Sequence, residues 1–173
     1  MADQVDPELW ILVHGGEEGC LHEPVIPSDV IDILIGRFLP DRMFDKDYEY
    51  LEGLVPGMRC PELQERLLSE GLKTPDAILL LEALAMNEQA DPTVLATLAQ
   101  NEDRFVRKHT AANQATPGSV LSALARDPHP SVRLSVAANP STPKVTLRVL
   151  AELETDVQVK TTAQARLGRL KLP

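Results

Sequence analysis

The sequence predicts an all-α fold: a short α-solenoid of two-helix repeats behind an N-terminal helical cap region. Three observations predict it. The first is a period. Asn87, Asn113 and Asn139 lie 26 residues apart and end the aligned stretches Leu79–Asn87, Phe105–Asn113 and Ser131–Asn139. Between them Val94-Leu95-x-x-Leu98-Ala99 recurs as Val120-Leu121-x-x-Leu124-Ala125 and Thr146-Leu147-x-x-Leu150-Ala151. A fixed period in this range marks stacked supersecondary units. The second is composition. Hydrophobic residues make up 43% of the chain but aromatics only 3%, so Leu, Val, Ile and Ala must build the core, which suits close helix packing better than strands. The third is punctuation: Pro and Asn recur at fixed places in the period and divide each repeat into two helical pieces.

The 173 residues suit one domain, or a small domain with an appendage. We divide them into an acidic helical cap region, 1–73, and a repeat array, 74–173. Residues 1–27 are the hardest to read. Asp6 and Pro7 can start a short helix through Val13, stopped by Gly15-Gly16. Pro24 and Pro27 bracket a loop. Ser28 then caps a helix with Val30, Ile31, Leu34, Ile35 and Phe38 on one face, and Pro40 ends it. A further helix fits Asp45 to Val55, with Tyr48, Leu51, Leu54 and Val55 inward, closed by Pro56-Gly57. Pro61 to Glu70 is the next, with Leu63, Leu67 and Leu68 inward and Gly71 as its C-cap.

Thr74-Pro75 opens the array, with Thr as N-cap and Pro at the first helical position, where its missing N–H costs nothing. The device recurs at Thr116-Pro117 and Thr142-Pro143, with Asp91-Pro92 shifted by one residue. The first piece of each repeat carries the Leu-x-x-Leu-Ala stripe. After a break, a shorter second piece ends at Asn, which tolerates the left-handed conformation and can bond loose backbone groups. Ala111-Ala112 and Ala137-Ala138 let neighbouring repeats approach closely. Pro128, Pro130 and Pro140 forbid long helices here, and some pieces are expected to be three-residue-per-turn helix. The last unit carries one extra residue near Leu153-Glu154-Thr155-Asp156, and Arg166 stands where the Asn is due. Arg166, Arg169 and Lys171 give that end the polar cover a repeat stack requires.

The unit Leu-x-x-Leu-Ala-x-Asp-x-x-x-x-Val-Arg-x-x-Val-Ala-x-Asn-Pro-x-Thr-Pro, read from Leu121 to Pro143, resembles the leucine-rich repeat variant family. The resemblance covers residues 79–165. It implies a bacterial right-handed superhelix of alternating α and 3₁₀ helices, similar in shape to HEAT and armadillo arrays. A known relative carries an N-terminal cysteine-ligated iron–sulfur cluster. Cys20 and Cys60 are too few for a four-cysteine cluster, so no cofactor is carried over.

Function classes follow from charge and motifs. Residues 1–73 hold 6 Lys/Arg and 16 Asp/Glu, residues 74–173 hold 11 and 10, giving nets of −10 and +1. An acidic chain is a poor generic nucleic-acid binder, although the near-neutral repeat half keeps a HEAT-like nucleic-acid reading as the alternative. Two cysteines make no disulfide framework, the N-terminus lacks a signal-peptide pattern, and no apolar run reaches transmembrane length. The expected setting is a reducing cytoplasm, with no membrane partner.

His14, Cys20 and His22, with Cys60 near in space, are zinc-ligand types, but the spacing fits no standard finger. Free thiols and loop histidines are the plainer reading, and no metal site is assigned; a metal- or redox-associated accessory role stands as a third reading. Asp45-Lys46-Asp47 lacks calcium-loop spacing. His109 and His129 stand alone, and no phosphate loop or nucleophile–base set appears, so an enzyme is not expected. The candidate binding residues are Arg104, Arg107, Lys108, Arg133 and Lys160. Arg107, Arg133 and Lys160 recur at 26 and 27 residues. A cationic strip of this kind meets an acidic partner or phosphates. In the structural alternative their stems cover apolar surface and their heads pair with Asp103 and Asp127. The expected function is a non-enzymatic scaffold that binds a protein or peptide on the concave face.

Overall fold

The computed structural model describes residues 61–74 and 77–169. The helices expected between residues 7 and 55, the His14/Cys20/His22/Cys60 group, Pro75 and Lys171 lie outside the described residues. Every element among the described residues is an α-helix, and none is a strand. The pieces expected to be 3₁₀ are α-helical; three-residue bonds close helix ends, as from Asn87 N–H to Leu84 O at 3.2 Å. The chain forms two compact units divided between Val94 and Leu95.

In the first unit α1 (Pro61–Lys73) packs on α2 (Ile78–Met86). Leu63, Leu67 and Leu68 recur at helical spacing and are buried, as are Leu80, Leu81, Leu84 and Ala85 of the nearly all-apolar α2. Gly71 does not end α1, which runs on to Lys73. Gly71 sits inside the helix because Leu81 packs on it: a Cβ there would come within 2.8 Å of Leu81 Cδ2. Gln64 is fully buried. Its amide donates to Gln89 O at 3.0 Å, and its side-chain oxygen accepts from Asp91 N–H at 2.7 Å, tying α1 to the turn after α2. Asp91 caps α3 (Pro92–Leu98), accepting from the Thr93 N–H and hydroxyl.

The second unit holds α4 (Arg104–Ala112), α5 (Gly118–Leu124), α6 (Pro130–Ala138), α7 (Lys144–Leu153) and α8 (Val157–Arg169). α6 packs between α4 and α8, while α5 packs on α4 and α6, and α7 on α8. One core joins Ala111, Leu121, Val132, Val136, Ala137, Leu147, Val159 and Ala163, all fully buried. The second pieces α4 and α6 have nine residues, where shorter ones were expected, and the first pieces α5 and α7 have seven and ten. Pro117 and Pro143 are extended (ψ 143° and 141°), and the helices start one residue after them. Thr116 and Thr142 do not cap those helices. Their hydroxyls donate backwards, each at 2.6 Å, to Thr110 O and Val136 O near the end of the preceding helix, where carbonyls lack helical partners. Asp103 and Asp156 are the carboxylate caps, of α4 and α8.

Candidate functional site

The asparagines are joints, each with one local job. The Asn87, Asn113 and Asn139 side-chain oxygens accept from the N–H two residues on, at 2.8–2.9 Å. Their backbones are extended, with φ near −65° (−61°, −66° and −67°), and not left-handed. Extended backbone lets the side chain fold over the turn that follows. Asn139 also reaches back one repeat, its amide donating to Ala111 O at 2.8 Å and Asn113 O at 2.7 Å. Arg166 stands 27 residues on and repeats the reach, donating to Ala138 O at 2.5 Å and Pro140 O at 3.4 Å.

Two of the five candidate cations are committed inside the fold. Arg107 donates from Nε to Asp127 Oδ2 at 2.6 Å and from Nη2 to Oδ1 at 3.2 Å; its Nη1 donates to Asn101 O and Glu102 O. Arg133 repeats this one layer on. It forks onto Glu154 at 2.6 and 2.9 Å and donates to Asp127 O and Pro128 O. The planar guanidinium suits this task, because one fork binds a carboxylate while its remaining donors satisfy turn carbonyls. The carboxylates are almost enclosed, with side chains 4% and 5% exposed. Burial pushes the Asp127 carboxyl up, but the Arg107 hydrogen bond, the His129 N–H and nearby positive charge outweigh it and hold it below its usual value. The Arg133 hydrogen bond, helped by the Asp156 and Thr155 N–H groups, lowers the Glu154 carboxyl to about 2 against the cost of burial. Each carboxylate also accepts from its own turn, Asp127 from His129 N–H and Glu154 from Asp156 N–H.

The other three cations are differently placed. Arg104 lies over the Phe105 ring, 4.6 Å from its centroid, and both are exposed. Lys108 is half-buried on the same helix; its charge adds to burial in lowering the His109 pKa. Lys160 is half-buried on α8. Phe105 is one residue that the charge pattern overlooked; the sequence shows an aromatic in an aromatic-poor chain, and the structure shows that it is exposed.

An open groove of about 440 Å³ runs between α3 and α5, lined by Ala96, Ala99, Ser119, Ala123 and Arg126 among others. Among the described residues no three His, Cys, Asp or Glu side chains are grouped to hold a metal, and no helix is long and apolar enough to cross a membrane. No protein-family model, curated protein or solved structure matches this chain.

Proposed function

We propose that the chain is a non-enzymatic scaffold, a short α-solenoid of leucine-rich-variant type that binds a protein or peptide in the cytoplasm. The supporting observation is the row α4, α6, α8, whose equivalent residues recur every 26 or 27 positions and whose layers are locked by the Arg107–Asp127 and Arg133–Glu154 ties. Locked layers keep an extended surface rigid, which lowers the ordering cost of binding.

The five cations then divide by task. Arg107 and Arg133 hold the surface together. Arg104, Lys108 and Lys160 meet the partner, with Phe105, 43% exposed, as the apolar anchor. These cations favour a partner that carries acidic side chains.

The test is capture from the native host by the tagged full chain, compared with a Phe105→Ala/Lys108→Glu variant of unchanged thermal stability. A protein held by the native chain and lost from the variant supports the reading. Equal recovery by both, or retention of nucleic acid alone, overturns it.

A further inference from the structure

Each layer of the second unit offers a cation to the layer that follows. Arg107 takes Asp127, and Arg133 takes Glu154. Lys160 holds the same position, 27 residues after Arg133. It is half-buried, and among the described residues no carboxylate lies within ion-pair distance of it.

Other positions that face the following layer can be found the same way. A Cβ on Gly118 would lie 3.0 Å from Pro143 Cγ. Ser122 Oγ lies 2.8 Å from Thr146 Oγ1. Their equivalents in the α7–α8 layer are Lys144 and Arg148, both exposed. This flank therefore presents three cations, Lys144, Arg148 and Lys160, and none of these positions is acidic. A solvating cover requires charge at Lys144 and Arg148. It does not require a half-buried cation at the position that twice before takes a carboxylate.

We infer that the α7–α8 flank binds an acidic protein segment, with one side-chain carboxylate seated on the Lys160 ammonium and others beside Lys144 and Arg148. Continuity with the two internal ties and charge complementarity select this ligand. The inference rests on the scaffold reading and names part of its partner chemistry.

The probe is a capped synthetic peptide of residues 150–159, which carries Glu152, Glu154 and Asp156, the turn that occupies the equivalent seat on Arg133. It is titrated into isotope-labelled full chain beside a control peptide with Gln, Gln and Asn at those positions. The expected result is saturable shifts at the Lys144, Arg148 and Lys160 amides, seen at about 1 mM peptide. Affinity should fall about fivefold or more in about 0.5 M salt. Lys160→Gln, and separately the exposed pair Lys144→Gln/Arg148→Gln, should weaken the shifts while leaving the unfolding midpoint in place. No shifts, equal shifts from the neutral peptide, or undiminished shifts in either variant would overturn the inference. So would the same shifts on concentrating the chain without peptide, which would identify a second copy as the occupant. Host capture lost in Phe105→Ala/Lys108→Glu, together with peptide binding unaffected by Lys160→Gln, would remove this inference and leave the scaffold reading standing.

Discussion

Arg133 and Glu154 meet in a two-bond fork at 2.6 and 2.9 Å, across 21 residues, one more than separates Arg107 from Asp127. The later turn has one extra residue, and the glutamate has one extra methylene. The closest contact is 2.6 Å in both pairs, so the longer side chain offsets the displaced turn. Glu154→Asp should therefore lose much of the fork even though the charge is kept. We expect a loss of about 1–2 kcal/mol, and about 2–4 kcal/mol for Arg133→Met, which leaves an enclosed carboxylate unpaired. Urea unfolding of the two variants checks the order.

The same pair sets a pH dependence. The Glu154 carboxyl is lowered from 4.5 to about 2 in the folded chain. A depressed folded pKa means that the folded state favours the ionised form. The stabilisation is complete above the unfolded value and fades as pH falls from about 4.5 towards 2. Comparing the native chain with Glu154→Gln by unfolding at stepped pH should give a difference that shrinks through this window. A difference that stays constant from neutral pH down to the bottom of the window would contradict it.

Asn139 is 2% exposed and bonds two carbonyls of the preceding repeat. Asn139→Ala strips donors from both and should cost about 2–4 kcal/mol. Asn139→Asp should cost at least as much, since a carboxylate would face those carbonyls. Arg166→Ala removes the equivalent reach at an exposed bond and should cost under about 1 kcal/mol. Thermal unfolding of the three variants would show whether the Asn139 bonds matter more than those of Arg166.

Thr142→Val keeps the shape and removes the hydroxyl bonded to Val136 O. The expected loss is about 1 kcal/mol. Thr142→Ser should retain most of the stability, because the hydroxyl remains. A valine variant as stable as the native chain would show that the backward bond is unimportant.

Much of this was legible in the sequence, because the period of 26 carries tertiary information. Residues that recur at one position repeat one contact, so pairing of the recurring cations with Asp127 could be named beforehand; Asp103, expected as a second partner, caps α4. What the period hid is direction and reach. A threonine before proline can cap the next helix or bond the last one, and only the packed turn shows that Thr116 and Thr142 look back. Glu154 escaped because the extra residue moves it off the repeat register. Gln64 lies before the period begins, and its buried bonds join segments that no local pattern links. Gly71 looked like a helix stop because local rules cannot see Leu81 packed against it. The recurrence marked Arg107, Arg133 and Lys160 alike, whereas the fold encloses the first two in ion pairs.

The central claim is that layers separated by a fixed number of residues are bonded to one another through these arginines. A double-mutant cycle on Arg133→Met and Glu154→Gln, read by urea unfolding, tests it most directly. The account predicts a coupling of about 1 kcal/mol or more between the two positions. Effects that simply add, to within about 0.5 kcal/mol, would contradict it.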